Sequence, residues 1–99
     1  MTRQEHLLII LMEECTEVAQ RISKALRFGL TEIQPDQPLT NEERIKDEYG
    51  DLIAVAAMLE NEGVRITDIS SRKIAEKATK VEKFLRLSAK EGRLDGGHP

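Results

Sequence analysis

The sequence has few aromatic side chains and almost no cysteine: it contains no Trp, one Tyr, two Phe and one Cys. A single cysteine excludes an intrachain disulfide and a multi-cysteine zinc site, and it fits a reducing cytoplasm, where we expect the protein. The apolar residues are mostly Leu, Ile, Val and Ala, which favours helices packed on helices over a sheet. We therefore predict an all-α fold.

Long hydrophobic runs are also missing. The longest, from Leu7 to Met12, is too short to cross a bilayer, so we expect no membrane segment and no leader peptide. With a net charge of -3 the chain lacks the excess of basic residues that is typical of non-specific nucleic-acid binders, and we expect no nucleic-acid partner. A chain of 99 residues buries only a modest fraction of its surface alone. We expect self-association as a homodimer or homotetramer.

Apolar residues that recur at alternating steps of three and four predict a small helical bundle with two long antiparallel helices and a C-terminal helical region. Pro35 and Pro38 mark a loop between the first two helices. We predict one domain over residues 1–92 and a flexible tail over residues 93–99, which lack periodicity. The predicted helices extend from Thr2 or Arg3 to Phe28 and from a cap at Thr40 or Asn41 to Gly63. The third helical region extends from a cap at Thr67-Asp68 to Glu91, as one helix or as two with a break near Ser70-Ser71.

Each predicted helix carries one apolar stripe that we expect to form its core face. Cys15 lies on the first stripe and is interpreted as a small buried hydrophobe, because no histidine is placed to activate it as a nucleophile. The stripes are Leu8, Leu11, Cys15, Val18, Ile22 and Ala25; then Ile45, Tyr49, Leu52, Ala56 and Leu59; then Ile74, Ala78, Val81, Leu85 and Ser88.

Two pairs of carboxylates border these apolar faces. Glu14 and Glu17 share one face of the first helix, and Glu48 and Asp51 repeat the same spacing on the second. If the apolar faces pack together, the four acids converge on a partly buried site, where uncompensated anions are unfavourable. Oxygen ligands without a positioned His or Cys suit Mg²⁺ or Mn²⁺ rather than zinc. The pattern therefore predicts a magnesium site.

Basic side chains continue the face of the first helix that carries Glu14 and Glu17. Arg21 and Lys24 lie one and two turns beyond Glu17, where they could receive the negative charge of a polyphosphate that the metal also coordinates. Further candidates for phosphate binding are Lys77, Lys80 and Lys83. They are assigned by their charge alone, and the alternative is that they form an exposed basic face.

These residues resemble the signature of the MazG-like, all-α nucleoside triphosphate pyrophosphohydrolase superfamily, which is EExxE on one helix followed by ExxD on the next. Here the motifs read Glu13-Glu14-Cys15-Thr16-Glu17 and Glu48-Tyr49-Gly50-Asp51. The resemblance implies magnesium ligation by their four outer acids, Glu14, Glu17, Glu48 and Asp51. It also implies cleavage of a nucleoside triphosphate between its α and β phosphates, giving a monophosphate and pyrophosphate.

Metal-assisted attack of water on phosphorus would follow from such a site. We assign the catalytic role to Glu17 and Glu14, with Glu17 as the general base and Glu13 as the nearest spare acid.

Two other functions stay open. The acids could instead form salt bridges in a non-catalytic helical interaction module whose apolar stripes drive association. Two uncompensated acids beside a core are unusual in such a module, which favours the hydrolase. A di-iron carboxylate bundle is weaker, because it normally needs Glu-x-x-His pairs and the sequence has none.

Overall fold

The computed structural model describes residues 1–95, and this part of the chain forms three α-helices. The helices are α1 (Arg3–Phe28), α2 (Asn41–Asn61) and α3 (Ser71–Lys90). The only β pairing within the described residues is an isolated bridge between Ile33 and Thr40, so the predicted all-α fold is confirmed. None of the described helices has the length and apolar character needed to cross a membrane.

Reciprocal hydrogen bonds at the first residues fix where α1 and α2 begin. The Thr2 hydroxyl accepts from the backbone N–H of Glu5, and the Glu5 carboxylate accepts from the backbone N–H of Thr2. Thr40 and Glu43 form the same pair at the start of α2. Such capping boxes satisfy N–H groups that the first helical turn leaves without partners. Both helix starts agree with the sequence prediction.

The third helix begins later than predicted. The Ser70 hydroxyl accepts from the backbone N–H of Lys73 at 3.1 Å, so Ser70 caps α3. The predicted cap at Thr67-Asp68 is therefore wrong, and α3 begins at the alternative position near Ser70-Ser71. Beyond the helix, the backbone N–H of Arg93 donates to the Ser88 carbonyl at 2.8 Å. The predicted tail, residues 93–99, thus begins with a hydrogen-bonded residue, and its last four residues lie outside the described part of the chain.

Helices α1 and α2 form an antiparallel hairpin that is tied at both ends. At one end the Gln4 side chain donates to the Glu62 carbonyl at 3.1 Å, and Arg3 pairs with the Glu62 carboxylate. At the other end the Asn41 side chain donates to the Gly29 carbonyl at 2.8 Å. The predicted pair of antiparallel helices is therefore confirmed.

The loop between the two helices is held by backbone hydrogen bonds. Gly29 ends α1 with a positive φ of 97°, which a residue without Cβ adopts without strain. The backbone N–H groups of Asn41 and Glu42 then donate to the carbonyls of Glu32 and Leu30, each at 3.0 Å. These bonds fix the loop against the first turn of α2.

The inner face of α1 is offset from the predicted stripe. It combines three members of that stripe with Leu7, Glu14 and Arg21, and successive inner positions again step by four and three. Leu7 and Ala25 of this face are buried, and Leu59 of α2 is fully buried in the same unit. The inner row consists of Leu7, Leu11, Glu14, Val18, Arg21 and Ala25.

Half of the predicted α1 stripe consequently faces water. Leu8 and Ile22 are more than two-fifths exposed, and Cys15 is exposed, so the prediction of a buried cysteine is wrong. Tyr49 of α2, also predicted in the core, is 56% exposed. Adjacent rows of a helix differ by only one residue, or about 100°, and both rows of α1 contain apolar side chains. Packing against α2 therefore decided which of the two rows of α1 faces inward, because sequence periodicity alone does not distinguish them.

Two compact units make up the chain: residues 1–67, with α1 and α2, and a unit that begins at Asp68 and contains α3. No side chain of α3 is buried, and Ile74, Val81 and Leu85 of its predicted stripe are exposed. The described part of the second unit has a single helix, so nothing within that unit covers the stripe. The single domain over residues 1–92 stays a prediction.

Candidate active site

Three carboxylates meet between α1 and α2. Glu14 occupies the inner row of α1, while Glu48 and Asp51, three residues apart, lie on one face of α2. One oxygen from each of the three lies within 4.8 Å of the others. The Oε2 atom of Glu14 is buried and has no hydrogen-bond partner in the described part of the chain. A buried anion without a partner requires compensation by positive charge.

The electrostatic environment of Glu14 disfavours its ionised form. Loss of solvent raises the pKa of the Glu14 carboxyl, and the nearby negative charges of Asp51, Glu48, Glu17 and Glu13 raise this pKa further. Both effects would be offset by a cation bound among the carboxylates. The surroundings of Glu14 therefore favour a nearby positive charge.

The donor atoms of the cluster are those that hard divalent cations prefer. All are carboxylate oxygens, and neither histidine nor cysteine belongs to the group. Mg²⁺ and Mn²⁺ take such ligands, whereas zinc favours nitrogen and sulfur. The residues present thus fit the predicted ion.

The structure brings together three of the four predicted ligands. Glu17 is half-buried one turn beyond Glu14 and acts on the Glu14 pKa, but its oxygens lie outside the group that Glu14 forms with Glu48 and Asp51. Glu13 is exposed on the other side of Glu14. The structure therefore groups the oxygens of three of these acids and leaves the fourth acid beside them, and the role of all four as metal ligands stays a prediction.

Two arginines border the acids. The Arg21 Nε atom lies 3.9 Å from Oε1 of Glu48, and about one fifth of each side chain is exposed. Arg21 and Glu48, together with Arg44, line a cleft of about 240 Å³. Sequence reasoning missed Arg44, although it precedes Glu48 by four residues and therefore shares its helix face. The cleft places two guanidinium groups next to the carboxylate cluster.

The remaining predicted basic residues lie elsewhere. Lys24 lines a second cavity, at the end of α1. The three lysines of α3 are exposed, and their role in phosphate binding stays a prediction; they are Lys77, Lys80 and Lys83.

A family model described as the MazG nucleotide pyrophosphohydrolase domain matches residues 2–86, which include α1, α2 and most of α3. No curated protein and no solved structure gives a significant match.

Proposed function

The chain belongs to the MazG nucleotide pyrophosphohydrolase family, and we propose that it hydrolyses a nucleoside triphosphate between the α and β phosphates. The products would be a nucleoside monophosphate and pyrophosphate. The observation that carries this proposal is the meeting of Glu14, Glu48 and Asp51 within 4.8 Å, with a buried Glu14 oxygen that lacks a partner.

The three clustered acids would hold Mg²⁺, or Mn²⁺ in its place, with Glu17 as the proposed fourth ligand. When bound, such an ion neutralises the carboxylates, binds phosphate oxygens and lowers the pKa of a coordinated water. In this proposal Glu17, which lies one turn from Glu14 and outside the group of three, doubles as the general base that accepts a proton from the attacking water.

The guanidinium groups beside the acids would bind the polyphosphate. Arg21 and Arg44 line the cleft next to Glu48 and present planar donors that match phosphate oxygens. Lys24 extends this row of positive charge toward the end of α1. These side chains orient the phosphates relative to the carboxylates, which is the larger part of catalysis in phosphoryl transfer.

The test is pyrophosphate release from ATP, GTP, CTP, UTP and their deoxy forms, in Mg²⁺, in Mn²⁺ and with chelator. We expect metal-dependent release that is lost in Glu48→Gln and retained in Glu42→Gln, which removes an exposed acid of the same helix outside the cluster. Absence of turnover across the panel, together with absence of Mg²⁺ binding by calorimetry, would instead support the non-catalytic interaction module.

We also propose that the protein is a homodimer or a higher homo-oligomer. The row of α1 next to its inner row is almost entirely apolar, steps by four and three, and is exposed along the whole helix. Burial of such a seam by another helix is favourable, since each exposed Leu or Ile side chain contributes about 1.5 to 3 kcal/mol when fully covered. The row consists of Leu8, Met12, Cys15, Ala19, Ile22 and Leu26.

Light scattering after gel filtration tests this assembly. Ile22→Glu places a charge in the middle of the exposed row, and we expect it to reduce the measured mass toward that of one chain. Leu30→Glu is the control, because Leu30 is exposed in the loop and outside the row. A wild-type mass equal to that of one chain would refute the proposal.

A further inference from the structure

A cavity of about 380 Å³ opens at the end of α1 that is remote from Gln4. Its size is within the range of small-molecule sites, which combine an apolar or aromatic surface with a few placed polar groups. The last two turns of α1 and the following loop provide both kinds of group. The lining residues are Lys24, Arg27, Phe28, Glu32, Gln34 and Pro35.

The aromatic surface is the ring of Phe28, which is 47% exposed. The guanidinium carbon of Arg27 lies 5.0 Å from the ring centroid, over the ring. Planar aromatic bases stack on such rings, and arginine adds a cation–π contribution. The chain has two Phe, one Tyr and no Trp, so few of its side chains can stack on a base in this way.

Two polar side chains of the loop have defined orientations. Arg44 can only donate, and its Nη1 atom donates to Oε1 of Gln34 at 3.2 Å, which leaves the Gln34 amide NH₂ to donate elsewhere. The Asn41 amide donates to Oε1 of Glu32 at 3.3 Å, so the second oxygen of that carboxylate can accept from a ligand. Besides the cationic side chains of Lys24 and Arg27, the cavity lining thus includes one amide donor and one carboxylate acceptor.

The cavity is connected to the acid cluster through arginines. Glu48 pairs with Arg21, and Arg44 lines the same cleft and contacts Gln34 of the cavity. Along α1, Glu17 and Lys24 are about 10 Å apart, and Glu17 and Phe28 about 16 Å. An extended nucleotide has this order of groups and a comparable length, with a polyphosphate at one end and a base at the other.

We propose that the cavity formed by Phe28, Glu32 and Gln34 binds the base of the nucleotide substrate. Phe28 stacks on the base, Glu32 accepts from a ring N–H or an exocyclic amine, and Gln34 donates to the neighbouring carbonyl or ring nitrogen. Glu32 is then the residue that sets the preference among bases, because hydrogen bonds to a charged group discriminate more strongly than neutral ones. The assignment rests on the proposed hydrolysis of nucleoside triphosphates.

Steady-state kinetics with ATP, GTP, CTP and UTP test the assignment in the wild type, Phe28→Ala, Phe28→Leu and Glu32→Gln. Phe28→Leu retains an apolar side chain without a ring, in case the alanine variant does not fold. Leu30→Ala is the matched control, since it removes an exposed apolar side chain next to the cavity but outside its lining. Calorimetry with AMP, GMP, CMP and UMP measures binding without turnover.

We expect both Phe28 variants to raise KM for every nucleotide by about tenfold, with kcat changed by less than about twofold. Glu32→Gln should raise KM mainly for the preferred base and so reduce the preference by about tenfold. Unchanged KM values and base preference in an active enzyme would overturn the assignment.

Failure of the proposed function has a different signature. A wild type that releases no pyrophosphate from any nucleotide would refute the hydrolase, and the monophosphate titrations would then decide on the cavity. Binding that is weakened about tenfold by Phe28→Leu but not by Leu30→Ala supports a base site even without turnover. Absence of monophosphate binding to the wild type overturns it.

Discussion

The side chain of Asn41 holds the loop to the hairpin, and we expect its removal to destabilise the first unit strongly. Asn41 is 2% exposed, and within the described part of the chain it is the one polar residue that is buried. Its Nδ2 atom donates to the Gly29 carbonyl at 2.8 Å and to the Glu32 carboxylate at 3.3 Å. These two bonds join the end of α1, the loop and the first turn of α2.

The magnitude follows from the two hydrogen bonds. A neutral bond contributes about 1 kcal/mol net and one to a charged group about 1.5 to 3 kcal/mol, and the longer of these two bonds belongs at the lower limit. Asn41→Ala should therefore lower the free energy of unfolding by about 2 to 3 kcal/mol. For a small domain this corresponds to a decrease in Tm of about 10 to 20 °C.

Urea unfolding followed by circular dichroism measures this loss. Asn41→Asp keeps the size of the side chain but has no donor and adds a negative charge beside Glu32, so it should lose at least as much stability at neutral pH. Asn61→Ala is the control, because Asn61 is exposed at the end of α2. Agreement of Asn41→Ala and Asn61→Ala within about 0.5 kcal/mol would refute the assigned role of these hydrogen bonds.

Three further predictions concern the metal, the core and the helix cap. Mg²⁺ at about 100 times its Kd should stabilise the wild type by about 2.7 kcal/mol in thermal melts and leave Glu48→Gln almost unchanged; equal shifts would argue against the site. Leu59→Ala should cost about 2 to 5 kcal/mol in urea unfolding, because Leu59 is fully buried, whereas the exposed Leu30→Ala should cost far less. The hydrogen bond from the backbone N–H of Thr40 lowers the pKa of Glu43, so the stabilisation by this carboxylate is complete above its unfolded pKa and is lost as pH falls through the lowered value. In Glu43→Gln the free energy of unfolding should therefore fall less steeply with decreasing pH than in the wild type, and equal slopes would contradict this explanation.

Sequence alone determined the features that depend on residues three or four apart. The capping boxes of Thr2 with Glu5 and of Thr40 with Glu43 are local, so the starts of α1 and α2 followed from the sequence. The EExxE and ExxD motifs indicated the family that the family model confirms. Their spacing also placed each acid pair on one helix face, because helical periodicity is a property of the backbone.

Tertiary structure decided which of two neighbouring rows of α1 faces α2. Leu7 and Leu8 are equally apolar, and their rows differ by one residue, so periodicity gave no basis for choosing between them. Packing turned Glu14 and Arg21 inward and left Cys15 outside. The same rotation set Glu17 beside the group of clustered oxygens rather than in it.

Tertiary structure also assembled the cavity at the end of α1. Phe28 and Gln34 come together through the loop hydrogen bonds and through Arg44, which reaches Gln34 from the other helix. No local pattern encodes such a contact, because it depends on how far α1 and α2 overlap and on the path of the chain between them. Local spacing therefore determined the helices and the acid pairs, whereas the packing of the hairpin determined which side chains share the site.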